Sequence, residues 1–103
     1  MSRQYNYFVY ILTNKLRTVI HTGVTNNPER RLIEHERDAM LNVRSFSGRY
    51  KCIYLIYFEH HDHIDHAIER EKRIKGWNRR KKESLINSLN PDWKFLNDRI
   101  RDI

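Results

Sequence analysis

The sequence predicts an α/β (α+β) fold in which a three-stranded antiparallel sheet is flanked by helices, and three observations lead there. Two apolar runs, Tyr7–Thr13 and Thr18–Val24, flank the polar stretch Asn14–Arg17 and read as a β-hairpin with a four-residue loop. A third run, Cys52–Glu59, is continuously apolar and aromatic, the pattern of a strand covered on both faces. It is expected in the middle of the sheet. Helical periodicity with recognisable ends accounts for most of the remaining chain. At 103 residues the protein is expected to be one domain, residues 1–103, with a modest core.

Within the hairpin, pairing Thr13 with Thr18 sets Tyr10 directly across from His21, on the face that also carries Gly23. Glycine on that face leaves room for a ligand or another backbone to approach. The chain then turns through Thr25-Asn26-Asn27 into a helix ending near Met40, with Asn27 as N-cap and Pro28 at the first helical position. On that helix Arg31 and His35 are four residues apart and share a face. A phenol, an imidazole, a glycine opening and a guanidinium therefore meet near one helix N-terminus, an arrangement suited to phosphate.

The segment Leu41–Lys51 is polar and basic, with Arg44 and Arg49, and reads as a loop beside that site. After the third strand, His60-His61-Asp62-His63-Ile64-Asp65-His66 invites a metal reading. A strand-to-helix corner capped by Asp62 or Asp65 explains the same residues more simply, with any metal uptake adventitious. The helix from about Ile64 to Lys75 carries Ile64, Ala67, Ile68 and Ile74 on one stripe, and Glu71 falls on that stripe too. A carboxylate on a buried face costs several kcal/mol unless paired or bound to a metal. Arg70 or Lys75 would satisfy it as an ion pair, and a divalent cation would satisfy it as a ligand.

Lys72–Lys82 is the densest basic run, interrupted by Gly76 at a helix C-terminus and by Trp77, which is expected to cap the core. A further helix follows over Arg79–Leu89, with Leu85, Ile86 and Leu89 inward. Asn90-Pro91 ends it, and Trp93, Phe95 and Leu96 are expected to fold back onto the sheet.

Charge and cysteine usage narrow the functional classes. Lys+Arg number 20 against Asp+Glu 13, a net charge of +7 that favours polyanionic partners such as nucleic acid. Cys52 is the only cysteine, so no internal disulfide forms, and its apolar neighbours make it a structural thiol rather than a nucleophile. No apolar run approaches the ~18 residues of a membrane span, and no charged-then-apolar leader opens the chain. A cytoplasmic location is expected. With only 3 glycines, a Gly-rich nucleotide-binding loop is not supported.

The stretch Phe8–His35 resembles the core of the GIY-YIG nuclease family, most closely its small single-domain bacterial branch. Phe8-Val9-Tyr10 stands where that family has its first motif and His21-Thr22-Gly23 where it has its second. Glu29-Arg30-Arg31-Leu32-Ile33-Glu34-His35 is similar to its arginine-bearing helix, and Ile68-Glu69-Arg70-Glu71 to its metal-binding glutamate segment. Phe8 replaces a frequent glycine, and His21 stands where tyrosine is expected. The resemblance implies a metal-dependent endonuclease that hydrolyses phosphodiester bonds, with DNA the expected partner and one divalent cation, Mg or Mn, the cofactor. It implies that Glu71 holds the cation, that Arg31 stabilises charge on the attacked phosphate, and that Tyr10 and His21 position or deprotonate the water. Asn90 takes the place of the family's late asparagine.

Nucleic-acid contacts are expected from Gly23, Arg30 and His35 around the site, and from Lys72, Lys75, Arg79, Arg80 and Lys82 in the basic run. A reference pKa of about 6.5 makes His21 a competent base near neutrality, so activity is expected to fall on acidification through that value. Two other readings stay open: a catalytically inactive nucleic-acid-binding module of the same fold, and a protein-interaction domain whose basic face meets an acidic protein.

Overall fold

A computed structural model describes residues 6–41 and 50–100. The chain runs β1 (Tyr7–Thr13), β2 (Ile20–Thr25), α1 (Pro28–Met40), β3 (Tyr54–His61), α2 (Ile64–Lys75), α3 (Arg79–Leu89) and a short α4 (Asn97–Ile100). The three strands form one antiparallel sheet in the order β2-β1-β3. The fold class is thus as expected, but β1 rather than the third run lies in the middle. Most of the loop expected over Leu41–Lys51, Arg44 and Arg49 included, lies outside the described residues.

The hairpin loop is longer than its composition suggests, and one side chain is responsible. Asn14 Oδ1 accepts the backbone N–H groups of Thr18 at 2.8 Å and Val19 at 3.1 Å, while its amide donates to the Thr18 hydroxyl at 2.8 Å. Thr13 Oγ1 donates to Val19 O at 2.7 Å, and Arg17 turns the chain with φ at 60°. Those bonds hold Thr18 and Val19 in the loop, so Thr13 pairs with Ile20 instead of Thr18. The whole register moves accordingly. Tyr10 lies opposite Gly23, and His21 lies opposite Leu12. Because the period of a strand is two, the shift of two keeps Tyr10, His21 and Gly23 on one face.

The sheet is covered on both sides. On the α1 side, Tyr10, Leu12 and Leu55 pack with Leu32, Cys52, Leu96 and Ile100. On the other side, Val9, Ile11, Ile56 and Tyr57 pack with Ala67, Ile74 and Ile86 from α2 and α3. A bulge between Ile11 and Leu12 divides the β1–β3 ladder, so that Tyr57 faces Ile11 and Leu55 faces Leu12. Ile56 is the extra residue, and it joins Tyr57 on the α2 side. Cys52 is fully buried, and burial pushes its thiol up to about 11, so it stays an inert core group.

Helix ends follow local rules with one exception. Asn27 caps α1 by accepting from Arg30 N at 3.0 Å, and Asn78 caps α3 by accepting from Lys81 N at 2.9 Å. At α2 the N-cap is His63, without a side-chain cap bond, rather than Asp62 or Asp65. Ala67 and Ile74 are fully buried on α2, whereas Ile64 and Ile68 remain exposed. On α3 the inward stripe runs from Ile86 to Asn90, four residues on, so Leu89 points outward and stays 44% exposed.

A two-sided apolar run at the edge of a sheet would normally invite another strand. The outer edge of β3 is instead closed by the segment after α3. Leu96 N donates to Leu55 O at 2.6 Å, and Asn97 bridges Leu55 N and Ile53 O at 2.9 Å each. The Asn90 amide donates to Ile56 O at 2.9 Å and to Lys94 O at 2.8 Å, and its carbonyl accepts Lys94 N at 3.0 Å. All three of its hydrogen-bonding functions therefore serve the fold. Trp93, with φ at 51°, and Phe95, stacked on Tyr54 at 4.1 Å, complete the return segment.

Two outcomes test this architecture. Asn90→Ala should lower the unfolding free energy by roughly 2 kcal/mol, because the buried bulge carbonyl loses its donor. Gly23→Ala should cost about 1–3 kcal/mol, since a Cβ there would occupy the space of the Tyr10 ring. Urea unfolding midpoints at unchanged m-value measure both.

Candidate active site

The site grows from the pairing of Tyr10 with Gly23. Gly23 has no side chain, and the Tyr10 ring lies directly over it, with the hydroxyl at the place a Cβ would take. The opening expected beside Gly23 is thus filled from within the protein, and Gly23 acts by admitting the phenol rather than by touching nucleic acid. Tyr10 is only 4% exposed, so its hydroxyl needs partners.

Helix α1 supplies them. The Tyr10 hydroxyl lies 3.0 Å from His35 Nε2, and Arg31 donates to the phenol oxygen from one turn earlier. Arginine can only donate. The arrangement that satisfies all three groups has the phenol proton on the His35 side, with the His35 proton on Nδ1. His21 joins from β2, its ring 5.5 Å from that of His35 in an edge-on arrangement. His35 is itself fully buried, which makes it a partner of Tyr10 and corrects the expectation that it contacts nucleic acid.

Arg31 is held in turn by Glu34, whose Oε2 accepts from Nη1 at 2.7 Å. Glu34 also lies 3.5 Å from Arg30 Nε, but Arg30 is 65% exposed whereas Arg31 is 37% exposed. Only Arg31 reaches the phenol. Glu34 was not singled out by motif, although its i, i+3 spacing from Arg31 was available in the sequence.

From α2, Glu71 and Lys75 complete the group. Glu71 is 14% exposed and pairs with Lys75 at 3.3 Å, while Arg70 turns instead to Glu59 at 3.1 Å. The Glu71 carboxylate is felt at Tyr10 and the Lys75 ammonium at His21. Among the described residues no three His, Cys, Asp or Glu side chains form a metal-binding group, and this includes the histidines of 60–66. A lone carboxylate still fits an ion such as Mg, which keeps much of its water shell and completes its ligands from substrate phosphate.

Burial sets the protonation states. It drives both His21 and His35 down to about 4; the cations Lys75 and Arg31 add to this at His21, and Arg31 and His21 at His35. Burial raises Tyr10 above its ordinary value, against the lowering effect of Arg31. Burial also opposes the charge on Arg31, but its bonds to Glu34 and Tyr10 outweigh this and raise its pKa. At neutral pH the centre is therefore a neutral phenol and two neutral imidazoles, framed by two cations, each paired with a carboxylate. The expectation of a histidine titrating near 6.5 is replaced by one that stays neutral well below it.

The remaining expected residues are scattered. Asn90 is occupied at the edge of β3 and is not joined to this group by any bond among its side-chain contacts. Lys72 and Arg80 are exposed on α2 and α3. Arg79 donates to Thr18 O at 3.0 Å, and Lys82 is half-buried near the hairpin loop. Trp77 packs on the core with the Lys81 ammonium 4.3 Å from its ring.

A family model described as the GIY-YIG catalytic domain matches residues 6–84. A UPF0213 protein from Natronomonas pharaonis is 37% identical over 81 residues, spanning 79% of this chain and 91% of that protein. The solution NMR structure of a UPF0213 protein from Bacillus halodurans aligns with a TM-score of 0.55 at 26% identity, covering 85% of this chain and 89% of that one. The matched stretch takes in the whole sheet, α1 and α2, and the chain belongs to the GIY-YIG catalytic domain family.

Proposed function

We propose that this protein is a metal-dependent endonuclease that hydrolyses phosphodiester bonds in DNA. The observation that carries the reading is the convergence of Tyr10, His21, Arg31, His35, Lys75 and Glu71 from four elements on one neutral-centred, cation-framed site. In the reaction, a water oxygen bonds to phosphorus as its proton passes to the neutral His21 imidazole, the bond to the leaving oxygen breaks, and the leaving oxygen takes a proton from solvent. Tyr10 and His21 orient the water as neutral hydrogen-bonding groups. Arg31 neutralises charge on the attacked phosphate with planar donors that Glu34 holds in place. Glu71 would hold a divalent cation, Mg or Mn, which would supply charge stabilisation at the phosphate.

The histidines also gain proton affinity when substrate arrives. Phosphate beside Arg31 and Lys75 cancels the cationic charge that holds them down and adds an anion nearby. A base too weak in the free protein is thereby strengthened in the complex.

A cleavage panel across duplex, single-stranded and branched nucleic acids, with and without Mg, tests the assignment. Glu71→Gln should abolish cation-dependent cleavage while leaving affinity within a few-fold, because glutamine is an uncharged and weaker ligand. Arg31→Ala should lose turnover, whereas Arg30→Ala should mainly weaken binding. Full activity in Glu71→Gln overturns the metal role, and equal losses of turnover overturn the choice of arginine.

The pH profile has a sign that follows from the burial of His21. Protonation of a group at about 4 leaves kcat/KM, which reports the free enzyme, flat from pH 9 down to about 5. The acidic limb of kcat, which reports the complex, should lie at higher pH, and His21→Tyr should move that limb alone. An acidic limb of kcat/KM near 6.5 would contradict the buried, neutral histidine.

A further inference from the structure

A second feature lies on the strand that carries His21. An open groove of about 410 Å³ is lined by Thr18, Val19, Ile20, Tyr50, Arg79 and Lys82. Its size falls within the range of about 300–1,000 Å³ typical of small-ligand sites. We infer that this groove is a subsite for one unpaired nucleotide of the strand whose phosphate sits at Arg31. The inference rests on the nuclease reading only for where the scissile phosphate lies.

Position makes the first argument. Ile20 adjoins His21, and three residues of extended chain from Thr18 to His21 span no more than about 10 Å. Val19 packs with the α1-side cluster and Ile20 with the opposite one, so the groove opens across the β2 edge and a strand held at the Tyr10–Arg31 centre reaches it by passing round that edge. Among the described residues the outer side of β2 has no strand partner in the sheet, so nothing in the described ladder blocks that path.

Chemistry makes the second. A nucleotide needs an apolar or aromatic surface for its base and cations for its phosphate. Half-buried Val19 and Ile20 form an apolar wall, and the Tyr50 side chain, 42% exposed, adds an aromatic surface. Arg79 is fixed rather than free to sweep: its Nη1 donates to Thr18 O at 3.0 Å, and Glu83 lies 3.8 Å from its Nε. Lys82, half-buried, also lines the groove. None of the groove-lining residues among those described is acidic.

A base paired within a continuous duplex cannot enter such a groove, so the subsite selects for an unpaired nucleotide beside the cleaved bond. The test is binding without catalysis, with the metal chelated and fluorescence anisotropy as readout. Three DNAs are compared: a blunt duplex, the same duplex with a single-stranded arm, and that arm made of abasic nucleotides, which keep the phosphates and lose the bases. The intact arm should bind at least about fivefold more tightly than the abasic arm, the lower end for one base stacked on an aromatic ring. Tyr50→Leu should remove that advantage and leave abasic-arm affinity unchanged, whereas Tyr50→Phe should retain it. Equal affinities for intact and abasic arms overturn the subsite, as does a Tyr50→Leu loss shared by all three DNAs. Failure of the nuclease reading shows up separately, as absence of Mg-dependent cleavage in the native protein while the arm preference is retained.

Discussion

A phenol carried into an apolar face loses its water, and the cost of leaving its oxygen unpaired would be a large share of a small domain's stability. Tyr10 is in that position, packed among Leu12, Leu32 and Leu55. Much of the local structure follows from meeting its needs. The ring requires a residue without a side chain across the ladder, which is Gly23. The hydroxyl requires an acceptor and tolerates a donor, which are His35 and Arg31 on successive turns of α1. The helix is thereby fixed against the sheet at the point where a guanidinium and a buried hydroxyl meet.

The same enclosure governs the charges. Ordinary histidines beside a carboxylate would titrate near neutrality, but His21 and His35 share their surroundings with Arg31 and Lys75 and are cut off from water. Their neutral state leaves the cations unopposed except by Glu71 and Glu34. Each cation is paired within its own helix, Arg31 with Glu34 on α1 and Lys75 with Glu71 on α2, so both are satisfied locally before a ligand arrives.

Much of this was legible in the amino-acid pattern, and the failures have physical causes. The hairpin, the Asn27–Pro28 helix start and the shared face of Arg31 and His35 depend on short-range periodicity, and they appear as expected. The pairing partner of Tyr10 did not, because the loop length depends on how many backbone groups one asparagine captures, and Asn14 captures two. The apolar run of β3 looked central because burial on two faces says nothing about a strand's edges. That edge is sealed by side-chain amides from residues more than thirty positions away. Pairing of Tyr10 with His35 across 25 residues, and of Glu59 with Arg70 rather than of Arg70 with Glu71, likewise lies beyond any local rule.

The seal on β3 has a consequence for how the protein comes into being. Leu55 finds its partner Asn97 at a separation of 42 residues, so the strand leaves the ribosome long before the segment that covers it. At translation speeds of about 5–20 residues per second, that interval is roughly 2–8 s. During it an aromatic run whose one carboxylate is Glu59 can align with β1 but offers its other side to any passing chain. The nascent protein therefore spends its most aggregation-exposed seconds with the hairpin already made, and its safety depends on how fast the following helices and return segment emerge. Slow codons after residue 61 would lengthen that window, and a holding chaperone would shorten its risk.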